Sequence, residues 1–270
     1  MPELPEVETI RLSLVPYLAG RRIRAARIHN PALRWPISPE LEALLQEKPI
    51  TKLIRRGKYL LFDCKIGNLI LHLGMSGSLR LLPMDFPLHK HEHFELILDN
   101  SQSLRLRDPR RFGAVLWHDG HEPHPLLAHL GPEPLGADFN GKWLYLRSRG
   151  RSLAIKQFLM DSHTVAGLGN IYVSEALFHA KISPLVAAGR VSLKRYSMLT
   201  EAIQATLRKA LEAGGSSLRD FVDSAGNPGY FQFQYQVYGR ANQPCRNCGH
   251  MLRLVKQAQR ATVYCNRCQR

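Results

Sequence analysis

The chain has 270 residues, 44% of them hydrophobic, and sets 37 Lys+Arg against 22 Asp+Glu for a formal charge of +15. This length suits two modest domains or one large one, and the apolar content is too high for a disordered protein. A surplus of this size favours a polyanionic partner, either nucleic acid or an acidic membrane surface. No apolar run approaches the ~20 residues of a membrane helix, and the acidic, polar opening MPELPEVE is the reverse of a signal peptide. Four of the five cysteines fall in the last 26 residues, which is not the pattern of a disulfide framework. The expectation is a reduced, cytoplasmic protein.

Taken in chain order, Val7, Ile10, Leu14 and Leu18 form one apolar helix face that stops at Gly20. Pro5 suits the first turn, and Pro16 is expected to kink or fray the last. From Arg22 to His118 the signal changes to period two. Leu69, Leu71 and Leu73 alternate in one run, and Leu104 and Leu106 alternate with Arg105 and Arg107 in another. Short strands between Gly, Pro and Asn predict a β-sandwich or barrel. Residues 119–136 hold four prolines and read as a linker. Helical spacing then resumes with Leu193, Tyr196, Leu199, Ile203, Leu207 and Leu211, closed by Gly214-Gly215. The polar stretch 216–234 reads as a long loop, and such loops are uncommon unless they are functional or disordered.

The last 31 residues carry seven Lys/Arg and no acid. Within them, Cys245-x2-Cys248 and Cys265-x2-Cys268 have the spacing of a four-thiolate zinc site. Four thiolates leave no open position, so one Zn2+ per chain is expected in a structural role. The surrounding arginines and lysines imply contact with DNA or RNA. Zinc ribbons of this kind serve many proteins, so the motif gives a metal and a partner but no activity. Cys64, in an apolar strand, reads as a packed core thiol.

Pro2 follows the initiator Met, whose removal would expose a secondary amine. A neutral amine attacks an aldehydic carbon to form an iminium, and Glu3 beside it can move protons. By themselves these two residues are an ordinary helix start. The longer pattern adds a resemblance. MPELPEVET, GKYL at 57–60, HLGMSGSLR at 72–80, DPRRFG at 108–113, GLGNIYVSEALF at 167–178, GNPGYF at 226–231, QVYGR at 236–240 and the cysteine module occur in order along essentially the whole chain. Together they resemble the formamidopyrimidine-DNA glycosylases of bacteria.

That resemblance implies an α+β fold. It consists of an N-terminal β-sandwich with flanking helices over 1–118, a linker over 119–136, a helical domain with a helix–two-turn–helix over 137–239, and a zinc-finger β-hairpin over 240–270. It also implies a monomeric, nucleoid-associated enzyme of base excision repair that binds damaged double-stranded DNA. Such an enzyme removes oxidised purines and then cleaves the abasic site by β,δ-elimination. Pro2 would be the nucleophile, Glu3 the acid, Lys58 the aid to β-elimination and Arg260 the group tied to the second elimination. Met75, Arg110 and Phe112 would fill the gap left by an extruded base, and residues 216–231 would close over that base. His72, His91, Arg151, Lys156 and Asn170 fall at the family's DNA-contact positions. Read without the resemblance, Met75 and Phe112 are core residues and His91 is a solvated surface histidine. The sequence departs from the family pattern in lacking a proline after the third cysteine and in ending on Arg270.

Two rivals follow. An oxidised-pyrimidine enzyme of the endonuclease VIII branch usually opens PEGPE, whereas this chain opens PELPE. A non-catalytic zinc-ribbon DNA-binding protein would fit the charge and the cysteines equally well.

Overall fold

The computed structural model describes residues 2–120, 123–216 and 230–270. Two compact units are present: Met1–Ala128 with Ala213–Tyr230, and His129–Glu212 with Phe231–Arg270.

The first unit opens with α1 (Leu4–Leu18). Glu3, in extended conformation, is its N-cap, and the Glu6 carboxylate accepts the Glu3 N–H at 2.9 Å in a capping box. Val7, Ile10, Leu14 and Leu18 are fully buried, as their spacing predicts. Pro16 lies within the helix and does not end it. Its missing N–H falls in the final turn, where little helix remains to lose. The chain continues through β1 (Ile23–Ile28), the short α2 (Leu41–Leu45), β2 (Lys52–Arg56), β3 (Tyr59–Asp63) and β4 (Asn68–His72). It then forms β5 (Ser78–Pro83), β6 (Glu92–Leu98), β7 (Gln102–Arg107), β8 (Ala114–His118) and the single turn α3 (Pro125–Ala128).

The strands form two antiparallel four-stranded sheets, in the orders β1-β6-β7-β5 and β2-β3-β4-β8. Leu53, Leu60, Phe62, Leu69 and Leu71 of one sheet share a single core with Phe94, Leu96, Leu104 and Leu106 of the other and with the α1 stripe. Each such side chain contributes roughly 1.5–3 kcal/mol by burial. Of the two architectures that the alternation allows, this is the sandwich. Alternation places Arg105 away from the core, yet it is buried. It bonds Glu95 at 2.9 Å, Glu92 at 3.3 Å and the Phe86 carbonyl at 2.8 Å. A buried cation persists because these acceptors replace its water.

In the second unit, α4 (Gly141–Ser148), α5 (Ile155–Met160), α6 (Asn170–His179) and α7 (Leu193–Glu212) precede a 3-10 turn at Phe231–Gln234 and the hairpin β9 (Arg253–Gln257) and β10 (Arg260–Tyr264). Asn140 caps α4, accepting the Trp143 N–H at 2.9 Å. Tyr196, Leu199, Ile203 and Leu207 of α7 are buried, while Leu193 at its first position is exposed. The expected linker is only partly one. Gly131 N–H bonds the Ser162 carbonyl, and Ala166 N–H bonds that of Pro132. A Cβ on Gly131 would lie 2.6 Å from the Thr164 carbonyl carbon, so this stretch is packed into the second unit. Among the described residues, no helix is long and apolar enough to cross a membrane.

Candidate active site and nucleic-acid interface

Pro2 and Glu3 are both buried at the start of α1. The other oxygen of Glu6 accepts the N–H of Ser216 at 2.8 Å, which ties the residue after Gly214-Gly215 to this helix start. Of the expected capping loop at 216–231, residues 217–229 lie outside the described residues.

Lys58 occupies the two-residue turn between β2 and β3, whose flanking pair is Arg56 with Tyr59. Gly57 precedes it at φ +57°, the left-handed value that a tight hairpin demands at its first central position. Directly across the next strand pair, His72 packs against Tyr59 with ring centroids 4.7 Å apart and ring planes tilted by 44°. Burial pushes the His72 pKa down to about 4, with the charges of Lys58 and Arg34 adding to the effect and Asp108 opposing it. His72 is therefore a neutral imidazole at physiological pH. Its Nδ1 accepts the Gly74 N–H at 3.1 Å, which leaves the proton on Nε2 as a donor.

The unfolded chain, with the ordinary value of 6.5, binds a proton that the folded chain lacks between pH 4 and 6.5. The stability this group contributes is thus complete above that window and lost as the pH falls through it. His72→Gln, which cannot titrate, should flatten the pH dependence of Tm across the window. Equal slopes for the variant and the parent would contradict this.

Arg34 is a cation that the sequence motifs do not point to. Its backbone N–H bonds the Arg111 carbonyl at 2.8 Å, its side chain is exposed, and its charge is felt by both Tyr59 and His72. No motif logic singles out the stretch LRWP; only folding brings it beside the 108–113 loop.

Met75 and Phe112 are each 41% exposed, so the core-packing alternative fails for both. The Arg110 guanidinium lies 4.9 Å from the Phe112 ring centroid. Asp108, fully buried, braces these loops together. One carboxylate oxygen accepts the Ser76 hydroxyl at 2.8 Å, and the other accepts the Gly113 N–H at 2.7 Å. Ser76 Oγ in turn accepts the Arg110 N–H at 3.3 Å. Asp108 N–H also bonds the carbonyl of His91, which sits at φ +71°. The loops touch closely: a Cβ on Gly74 would fall 2.4 Å from the Phe112 carbonyl carbon. Asp108 could have been suspected from its place at the head of DPRRFG, but its partners are 5 to 32 residues away.

In the second unit, Lys156 departs from expectation. It is 1% exposed, and its ammonium donates to the Ala261 carbonyl at 3.2 Å and to Thr262 Oγ1 at 2.8 Å. These two bonds make Lys156 a tether between α5 and β10. Asn170 is the first residue of α6, and a helix start suits an anion. Its Nδ2 donates to the same Ala261 carbonyl at 3.3 Å, so one amide proton remains. Arg151 is exposed. Arg260 is exposed at the first residue of β10, with Nη1 3.8 Å from Met160 Sδ. The turn presenting it, Ala258-Gln259, has φ +44° and +63° at two non-glycine residues. Such left-handed pairs are costly and persist where the surroundings fix them. Here Gln257 is anchored to the Pro184 carbonyl at 3.2 Å.

The sulfurs of Cys245, Cys248, Cys265 and Cys268 all lie within 4.8 Å of one another. The Cys245–Cys268 and Cys248–Cys265 separations are 3.9 and 3.6 Å. Tetrahedral zinc with bonds near 2.3 Å requires sulfurs about 3.8 Å apart, so the four thiols fit one Zn2+ ion. Cys64, buried with its pKa raised to about 11 by burial, is the core thiol expected.

Three family models match the chain. They are the formamidopyrimidine-DNA glycosylase N-terminal domain over residues 1–115, the H2TH domain of the same enzymes over 130–222, and a zinc finger found in FPG and IleRS over 242–270. The formamidopyrimidine-DNA glycosylases of Alcanivorax borkumensis and Stenotrophomonas maltophilia are each 53% identical over 270 residues, covering all of both chains. Among solved structures, a Lactococcus lactis FPG mutant in complex with Fapy-dG-containing DNA superposes with a TM-score of 0.92 at 36% identity, covering 99% of each chain. The Thermus thermophilus FPG protein gives 0.87 at 36% identity, covering 99% of this chain and 98% of that one.

Proposed function

The chain belongs to the formamidopyrimidine-DNA glycosylase family, and from that premise we propose that Pro2, Glu3, Lys58 and Arg260 carry its chemistry. It is a bifunctional base-excision-repair enzyme, a glycosylase for oxidised purines and an abasic-site lyase, acting on damaged double-stranded DNA, with one structural zinc.

In this reading the free amine of mature Pro2 attacks the sugar C1′, the glycosidic bond breaks, and the proton that the nitrogen gives up ends on the departing oxidised base. Glu3 gives a proton to the ring oxygen as the sugar opens, so the adduct becomes an iminium. Loss of the C2′ proton then expels the 3′ phosphate, and the second elimination expels the 5′ phosphate. Lys58 holds a phosphate and stabilises the first departure, while Arg260 serves the second. Neutral His72 donates through Nε2 to a phosphate oxygen, and Asn170 does so through its remaining amide proton. His91 and Arg151 are further backbone contacts.

The observation that carries this reading is the exposure of Met75, Arg110 and Phe112 on loops locked by Asp108. Holding large apolar groups in water is unfavourable by itself. It makes sense for a set that enters the base stack when a nucleotide is extruded. Arg110 is the member able to hydrogen-bond the orphaned base.

Single-turnover excision on a panel of duplexes tests the reading. Release of 8-oxoguanine and formamidopyrimidine opposite cytosine should outpace release of thymine glycol and dihydrouracil by at least about tenfold, a difference of about 1.4 kcal/mol. Preference for the pyrimidine lesions would favour the endonuclease VIII-like alternative. Tight binding without any base release would favour a non-catalytic zinc-ribbon protein.

A further inference from the structure

We infer that Arg55, held by Glu8 of α1, is a positioning residue for Lys58. The inference rests on the reading of Lys58 and Pro2 given above. Glu8 lies five residues beyond Glu3 on the helix that Pro2 and Glu3 begin, and Arg55 is the penultimate residue of β2. Arg55 Nε donates to Glu8 Oε2 at 2.8 Å. Its Nη1 donates to the carbonyl of Gly57 at 3.0 Å, one residue before Lys58. A single guanidinium therefore bridges the helix that starts at the nucleophile to the turn that carries the lysine.

The far side of the bridge is held as well. Arg11, one turn further along α1, grips the Glu8 carboxylate at 2.7 to 3.1 Å and donates to the Leu53 carbonyl of β2 at 3.2 Å. One carboxylate thus serves two cations, and α1 is stitched to β2 at two points. The pair is sheltered, with side chains 10% and 16% exposed, so water competes poorly for these bonds. Burial would raise the Glu8 pKa, but hydrogen bonds from Arg11 and Arg55 outweigh it and hold the group below the ordinary carboxylate value.

The need for such a brace follows from the turn. Gly57 has no side chain with which to pack, so the bond that its carbonyl accepts from Arg55 is a direct hold on the backbone beside Lys58. The planar fork of an arginine can hold a carboxylate and a carbonyl in fixed relation, whereas a lysine offers a point charge. Misplacing a reacting group by about 1 Å costs on the order of 100-fold in rate. Arg55 has this leverage over Lys58 through the Gly57 carbonyl.

The test is single-turnover β-elimination on a duplex with a preformed abasic site, comparing Arg55→Lys, Glu8→Gln, Lys58→Ala and the Arg55→Lys/Lys58→Ala double variant. Arg55→Lys and Glu8→Gln should each slow elimination by about 10- to 100-fold, with Kd for the same duplex changed less than about threefold. In the Lys58→Ala background, Arg55→Lys should add almost nothing, because the two act as one unit. A full additional loss in that background would mean that Arg55 supports the fold in general, and the inference would fall. It would also fall if Lys58→Ala slowed elimination while Arg55→Lys and Glu8→Gln did not. If Lys58→Ala itself left elimination unchanged, the assignment of Lys58 would fail first, and this inference with it.

Discussion

A chain that keeps even one residue ahead of Pro2 should form no borohydride-trappable adduct with abasic DNA. It should also lose strand cleavage by on the order of a thousandfold or more, as removal of an essential nucleophile does elsewhere. The reason is bonding. A proline nitrogen already in a peptide bond has no proton to lose and has its lone pair delocalised into the carbonyl, so it cannot become an iminium. Binding should survive, because affinity for duplex DNA comes chiefly from phosphate contacts, and Kd should shift less than about threefold. The comparison is between the chain with its initiator Met fully removed and the same chain blocked at the N-terminus, each assayed for trapping, cleavage and binding. Cleavage at the parent rate by the blocked chain would place the nucleophile elsewhere.

What was legible in the sequence divides along physical lines. Elements governed by local periodicity were read directly. The α1 stripe is fully buried, and the zinc quartet lies at metal-binding distances. Both depend on spacing within one segment. The resemblance supplied the loops, and the structure shows why their residue types differ from core residues: Met75 and Phe112 stand out in solvent. What was missed depends on pairs far apart in the chain. Asp108 bonds Ser76 across 32 residues, and Arg55 bonds Glu8 across 47. The resemblance puts Lys156 at a DNA-contact position, and only the fold reveals Thr262, 106 residues away, as a partner of its ammonium. Arg105 misleads in the same way, since strand alternation gives the face of a residue but not what covers it. The Pro-rich segment 119–136 read as a linker on composition, although prolines also occur in packed, ordered turns such as that at Gly131-Pro132.

Removing the zinc should have the second large effect, and its size follows from how little else holds the module. Its buried cluster is Cys245, Leu252, Val263 and Cys265 with Phe178 and Val237, so two of the six members are themselves ligands. A core this small does not outweigh the chain entropy of some thirty residues without a staple. Structural zinc supplies roughly 10–16 kcal/mol of apparent binding energy in such peptides, and that energy is folding energy. Without it the left-handed pair Ala258-Gln259 has nothing to enforce its conformation, and Arg260 loses its fixed position. The tethers from Lys156 to β10, from Gln257 to Pro184 and from the Gln269 amide to the Ile182 carbonyl are then ordered against nothing. Metal analysis of the purified chain should give one zinc per chain. Chelation, or Cys265→Ser, should weaken binding to an abasic duplex by on the order of 100-fold. It should also flatten the log–log salt dependence by about 0.9 for each phosphate that the chain no longer neutralises, the one held by Arg260 among them. The sandwich core, which contains no zinc ligand, should keep its own melting transition. A metal-free chain that bound the duplex with undiminished affinity and salt slope would show that the hairpin folds unaided and that the thiols serve another purpose.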